Sequence, residues 1–554
     1  MRNPIEVLNS LKSHANKEGY KYRRLYRNLY NIEFYAIAYQ RLYKNPGNMT
    51  KGISSKNIDG MNIKRIEGII ASLKDHSYRP EPSRRVHIPK SNGKTRPLGI
   101  PSFEDKLVQE IVRMILESIF DPTFSEFSHG FRPERSCHTA LVQIKQKFKG
   151  VSWFIEGDIK AFFDNINHHI LIKALRESIE DEYFIALIWK FLKAGYMEEN
   201  TFIKTYSGTP QGSIVSPILS NIYLNKLDKF MEDYANQFNK GKRRQPNREY
   251  SRLKDKVRWL EKQKYSKEEW RDLPQDTKKE TLKKIKDMKK ELQAMNSVNR
   301  TDETFKRMSY VRYADDFIIG LTSSKEEARK VKEDVKSFLI KELQIELSEE
   351  KTLITQSYDK ATFLGYEIFI TKSNDRRKTK QGTRRVFKGQ IRLFIPKNKW
   401  VNKLIELKAL KINYVDGKEI FEPIHRNFMV NNDDLEILNQ YNSEIRGFKN
   451  YYSLADNISV LNNFYYVMKF SMFKTYAAKY KSNIGVIRNQ FGRDRFHVAY
   501  TNKSGKPCKV YFYDDGYTRS NTIINQPEVD SLPSNLRNLT LTSLMDRLRL
   551  RTCE

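Results

Sequence analysis

The stretch Met308-Ser309-Tyr310-Val311-Arg312-Tyr313-Ala314-Asp315-Asp316-Phe317-Ile318-Ile319-Gly320-Leu321 decides the fold. Two β-prone runs, MSYVR and FIIGL, flank the tetrapeptide Tyr313-Ala314-Asp315-Asp316. Neighbouring side chains on a strand point to opposite faces, so adjacent carboxylates reach one site only where a tight turn breaks the alternation. A strand, an acidic turn and a second strand therefore put Asp315 and Asp316 at a hairpin tip. Taken alone, the same tetrapeptide fits an ordinary Asp-containing turn. Its meaning depends on what the rest of the chain brings to it.

Upstream, Trp153-Phe154-Ile155-Glu156-Gly157-Asp158-Ile159-Lys160-Ala161-Phe162-Phe163-Asp164 reads as an apolar strand ending in an aspartate. A helix over roughly 167–178 follows, with Ile170, Leu171 and Leu175 on one side. An acidic strand end beside an acidic hairpin suits Mg²⁺, which prefers oxygen ligands and takes one or two carboxylates plus substrate phosphates. Two such ions a few ångströms apart activate a 3′-hydroxyl and stabilise a leaving pyrophosphate. Asp164 reads as a turn or capping residue. The loop Ser207-Gly208-Thr209-Pro210-Gln211-Gly212-Ser213 lets backbone approach a flat base pair, and Ser216 and Pro217 suit the N-cap and first position of the next helix. In Ile88–Pro101, Lys90 and Arg96 flank a Gly-containing turn between two strand-like pieces, a hairpin able to fold over a triphosphate. Each of these has a bland alternative: a generic loop, or exposed hairpin charges.

Charge narrows the partner. Lys plus Arg number 100 against 67 Asp plus Glu, a net +33, which points to a polyanion, nucleic acid before membrane surface. No apolar run approaches the ~20 residues that span a bilayer, and no secretory signal opens the chain. The three cysteines, Cys137, Cys508 and Cys553, lack zinc-ligand spacing, and a reducing, cytosolic setting fits. Residues 1–80 read as a basic helical extension. Residues 236–307 read as a helical insertion, with apolar stripes at Leu253, Val257, Leu260 and at Leu282, Ile285, Met288, Leu292. A basic hairpin-like stretch at 375–390 precedes helical periodicity over 398–490. There Leu435, Leu438, Tyr441, Ile445, Phe448 and Tyr452 form one stripe behind Asp433 and Asp434 at a helix start. The opposite face, with Asn439, Asn442, Arg446 and Lys449, suits phosphate or sugar contacts or a plain solvated face. Residues 491–554 are short-stranded and Tyr-rich.

The order basic hairpin, DIKAFFD, GTPQG, YADD resembles the fingers and palm of reverse transcriptases. It is most similar to those encoded by bacterial group II introns, the maturases of lactococcal type. RPLGIPSFEDKLVQE (96–110), HGFRPERSCHTAL (129–141), GDIKAFFDNINH (157–168), YSGTPQGSIVSPILSNIYL (206–224), YVRYADDFI (310–318), LSEEKTLIT (347–355), FLGYEI (363–368) and YNSEIRGFKNYYSLADN (441–457) carry the resemblance. It implies an α+β right-hand polymerase: fingers and palm over 81–375 with an antiparallel sheet, a helical thumb or maturase domain X over 376–490, and a small DNA-binding region over 491–554. It implies that Asp158, Asp315 and Asp316, with the Ile159 backbone carbonyl, hold two Mg²⁺ ions. Lys90, Arg96 and Lys351 would meet the incoming dNTP, Gln211 the nascent base pair, and Phe163 the ribose 2′-position, selecting deoxynucleotides. Arg446, Lys449, Arg376 and Arg377 would contact RNA. The implied partners are the parent intron RNA and a DNA target or primer, in a bacterial cytoplasm, with no membrane. Many relatives carry a Cys-rich HNH endonuclease opening with C-E-x-C; here the sequence reaches Thr552-Cys553-Glu554, and no target cleavage is expected of it. An RNA-binding splicing factor without polymerase activity is the alternative. A substitution among the three aspartates would mark it, and none is present.

Overall fold

The computed structural model describes residues 2–530 apart from 44–46, 55, 90–92, 94, 199–200, 210–211, 266–269, 296, 300–301, 372–375, 380–381, 386–388, 503–504, 521–522 and 526; at 264–265, 376–379, 382–385 and 527–528 it describes backbone alone. Eight strands position the site: β1 (Ser83–Pro89), β2 (Thr95–Ile100), β3 (Trp153–Asp158), β4 (Tyr196–Glu198), β5 (Thr201–Ile203), β6 (Arg307–Tyr313), β7 (Asp316–Thr322) and β8 (Leu353–Gln356). They form two four-stranded sheets, β2-β1-β4-β5 and β6-β7-β3-β8. All pairs of the second sheet, the palm, are antiparallel.

Period-two alternation divides the palm residues between two cores. Ile155, Met308, Tyr310, Phe317, Ile319 and Leu321 join a cluster with the helices Phe103–Phe120 and Ser216–Phe238. Phe154, Val311 and Ile318 join a second, with the helices Cys137–Lys147, Asp434–Tyr451 and Leu461–Lys479. The sheet is therefore the partition between a fingers-side and a thumb-side core. The N-terminal helix Ile32–Tyr43 belongs to the first cluster, through Phe34, Tyr35 and Ala38. Phe491, Phe496, Val498, Phe512 and Tyr513 belong to the second.

Local signals are partly obeyed. The helix expected at 167–178 runs His168–Arg176, and Asp433 caps Asp434–Tyr451 by accepting from the Leu435 N–H at 2.8 Å. The next expectation fails by one residue: Val215 is the N-cap, so Ser216 and Pro217 occupy the first two helical positions, where proline is equally free of a required N–H. The insertion holds two helices, Arg248–Tyr265 and Gln275–Ala294, meeting along a narrow seam; Val257, Leu260 and Ile285 are buried while Leu282 stays exposed. Among the described residues no helix is long and apolar enough to cross a membrane.

Candidate active site

Tyr313 pairs with Asp316 across a turn whose two central residues are Ala314 and Asp315, with Ala314 at φ 55°. Two-residue hairpin turns need such left-handed backbone to match the twist of their strands. On the far side of β7, the β3 register sets Asp158 directly opposite Asp316. Facing residues of an antiparallel pair have Cα atoms about 4.5–5.5 Å apart, so carboxylates 158 positions apart in sequence share one spot. Gly157, opposite Phe317, permits this pairing: a Cβ there would lie 2.1 Å from the Phe317 ring. Beyond Asp158, Ser348 N–H donates to the Asp158 carbonyl at 2.8 Å and Lys160 N–H to the Glu346 carbonyl at 2.9 Å. Ile159, the residue after Asp158, forms an isolated antiparallel bridge with Leu347.

Sequence reasoning missed the support behind the turn. Arg312 and Asp228 are both 0% exposed and form a forked pair at 2.7 and 2.6 Å. The same guanidinium donates to Asn221 Oδ1 (3.1 Å), Ser128 Oγ (2.7 Å) and the Ala314 carbonyl (2.8 Å), while the Tyr310 hydroxyl donates to Asp228 at 3.0 Å. A buried charge persists only when paired and hydrogen-bonded; here that network ends on the backbone of the acidic turn. Gly130 closes the back, where a Cβ would sit 2.4 Å from Ala314 N. Two signals were present: Arg312 occupies an apolar-face position of β6, and Asn221 and Asp228 stand seven apart on the buried face of one helix.

Burial first, then the neighbouring Asp315 and Asp158 charges, push the Asp316 carboxyl up to about 7. Asp315 is raised as well, by burial and then by Asp158, with Arg96 and Lys351 opposing. Acids crowded this way need a cation. Lys351 supplies one, its Nζ 3.0 and 2.9 Å from the two Asp158 oxygens. Among the described residues no three His, Cys, Asp or Glu side chains form a ready-made metal cage. The donor set nevertheless fits Mg²⁺, whose remaining ligands are normally water and substrate phosphate.

The residues expected on the nucleotide side divide. Arg96 lies on β2 close enough to weigh on Asp315. Phe163 packs edge-on against Phe162 and stays half-buried; its carbonyl accepts the Thr209 N–H at 2.7 Å. The loop at 207–209 is docked there by Ser207 Oγ on the Asp164 carbonyl and His168 Nε2 on the Gly208 carbonyl, at 3.0 and 2.7 Å. Lys90 and Gln211 lie outside the described residues. Arg376 and Arg377 stand on one strand of a hairpin, opposite Arg385 and Arg384, with their side chains outside the described atoms. Arg446 is exposed. Asn442 corrects the reading of its helix face: its amide donates to the Tyr511 carbonyl and accepts from the Tyr513 N–H, both at 2.8 Å. Lys449 lies over the Tyr513 ring at 5.8 Å. That face carries the 497–513 hairpin.

Comparison with known proteins agrees with this geometry. Residues 88–243 and 286–368 match the family described as "Reverse transcriptase (RNA-dependent DNA polymerase)", and 388–531 match "Type II intron maturase". The group II intron-encoded protein LtrA of Lactococcus lactis subsp. cremoris is 42% identical over 536 residues, 96% of this chain and 87% of that one. The chain belongs to the group II intron-encoded proteins. It is an RNA-directed DNA polymerase with a maturase segment, on the α+β fold of that family. The putative COX1/OXI3 intron 1 protein of Saccharomyces cerevisiae is 37% identical, covering 81% of this chain and 52% of its own. The reverse transcriptase match skips 244–285, inside the helical insertion. As in the family, the chemistry requires divalent metal and the protein binds RNA.

Proposed function

We propose that this chain binds its parent group II intron RNA, assists splicing and copies that RNA into DNA from a primer at a DNA target, in a bacterial cytoplasm. Asp158, Asp315 and Asp316, with the Ile159 carbonyl, hold two Mg²⁺ ions. When bound, these activate the primer 3′-hydroxyl and neutralise the leaving pyrophosphate. Lys351, now on Asp158, is placed to turn to the triphosphate once cations neutralise the carboxylates. Lys90 and Arg96 close on the same phosphates, Gln211 lies at the new base pair, and Phe163 excludes a 2′-hydroxyl. Arg446, Lys449, Arg376 and Arg377 serve the RNA side. The division follows: an extension at 1–80, fingers and palm at 81–375 interrupted by 236–307, thumb at 376–490 and a DNA-binding region from 491.

One observation carries the reading: the register that sets Asp158 across from Asp316, beside the turn that presents Asp315. Its test is primer extension with dNTPs on an RNA template in Mg²⁺. Removing a metal ligand forfeits several kcal/mol of transition-state stabilisation, so Asp315→Ala is expected to cost roughly a thousandfold or more. Undiminished incorporation by that variant refutes the assignment.

A further inference from the structure

A cavity of about 620 Å³ opens at the end of the palm sheet opposite the aspartates. Its wall includes Val151 just before β3 and Thr322 at the end of β7. Seven residues of extended chain separate Val151 from Asp158, roughly 23 Å. That places the cavity beyond reach of a nucleotide held at the carboxylates.

The lining brings together Lys147 and Lys149, from the end of the helix Cys137–Lys147 and the loop after it, with Arg244, Phe305 and Arg307 from the two ends of the insertion. Four cations line it and, among the described residues, no carboxylate does. Backbone carbonyls help to orient both arginines. Arg244 donates to the Gly150 carbonyl at 2.6 Å; Arg307 donates to those of Lys240 and Lys306 at 2.6 and 2.7 Å. The Phe305 ring lies between them, 5.6 Å from Arg244 and 4.3 Å from Arg307. On the helix, Lys145 is paired with Asp456 at 3.4 Å, whereas Lys147 and Lys149 have no ion-pair partner among the described residues.

We propose that this cavity is a second nucleic-acid site, holding the phosphodiester backbone of bound RNA with a sugar or base edge against Phe305. Arginine forks suit phosphate oxygens, and an aromatic face beside them suits a nucleotide. RNA is favoured over DNA because Gly389 and Gln390, which complete the wall, lie within the segment matching the type II intron maturases. The inference rests on the reading that the chain binds intron RNA. Bound here, the RNA would be gripped while the cleft stays open to template and primer.

The test uses the full chain and a Lys147→Ala/Lys149→Ala variant, both side chains being exposed and, among the described residues, without an ion pair. The probes are a folded transcript of the cognate intron, a DNA duplex of matched charge, and a short RNA template–DNA primer duplex confined to the cleft. The slope of log K against log salt for the transcript is expected to fall by about 1.4–1.8, at roughly 0.7–0.9 per lost phosphate contact. Primer extension on the short heteroduplex stays at the parent level. An unchanged slope on the transcript overturns the proposal, and so does a loss confined to the DNA duplex. If the parent chain itself fails to bind the transcript, the proposed function falls instead.

Discussion

Asp228→Asn keeps the shape of a buried side chain and removes its charge. In the parent protein Asp228 is the only acid that forms an ion pair with Arg312 among the described residues, and neither side chain reaches solvent. Breaking a buried pair by removing one partner costs about 3–5 kcal/mol, because the remaining charge is stranded. Hydrogen exchange of the β6 and β7 amides reads that loss locally, where a global melt of a multi-domain chain would blur it. Exchange there is expected to accelerate by about two to three and a half orders of magnitude, which is what 3–5 kcal/mol implies at about 1.4 kcal/mol per decade. The double variant Arg312→Met/Asp228→Leu fills the space without charge, and most of the protection returns. Polymerisation does not return with it. The Ala314 carbonyl has lost a charged donor at 2.8 Å, an interaction of about 1.5–3 kcal/mol, so primer extension stays about ten- to a hundredfold down. Parent-like exchange in Asp228→Asn, or full activity in the double variant, refutes the claim that this pair fixes the catalytic turn.

Two further outcomes follow from the same site. The Tyr313 hydroxyl donates to Asp530, which also accepts the Cys137 N–H at 3.0 Å. Asp530→Ala is expected to lower the rate of primer extension several-fold, and Tyr313→Phe in that background to add nothing, since both remove one bond; additive losses in a double-mutant cycle contradict this. In the absence of metal, Asp316 holds a proton up to about pH 7, well above its unfolded value. Its contribution to stability is therefore complete below about pH 4 and is lost as pH rises through 7. Because Mg²⁺ must displace that proton, apparent Mg²⁺ affinity should climb by up to about tenfold per pH unit below 7 and level off above it. A calorimetric titration that is flat from pH 6 to 8 counts against a protonated Asp316.

What the sequence disclosed and what it hid have different physical causes. The acidic hairpin was legible because two adjacent carboxylates conflict with strand alternation, a local contradiction that only a turn resolves. The strand ending in Asp158 was legible from its own apolar run. Their meeting was not, because the β3–β7 register is a contact between distant segments, and shifting it by two residues leaves every side chain on its own face. The family resemblance supplied that contact. Arg312 escaped because its partners come from two separate segments, Ser128 on one and Asn221 and Asp228 on the helix Ser216–Phe238, and a lone charge on an apolar face does not name them. Asn442 was misread for the converse reason: a polar residue opposite an apolar stripe looks solvated until the 497–513 hairpin is known to land on it.

The helix Cys137–Lys147 explains why polymerase and maturase segments act as one body. Its Ala140, Leu141 and Ile144 sit in the thumb-side core, its His138 Nε2 donates to the Tyr451 carbonyl at 2.9 Å, and its Lys145 pairs with Asp456. Just upstream, the His129 N–H donates to the Arg312 carbonyl at 2.9 Å and the Gly130 carbonyl accepts from Asn221 at 2.8 Å. One short segment thus bonds to the thumb at one end and to the support of the acidic turn at the other. Close-packed interiors transmit displacement rather than absorb it. On the proposed function, RNA held by the thumb would be held at a fixed distance from the three carboxylates.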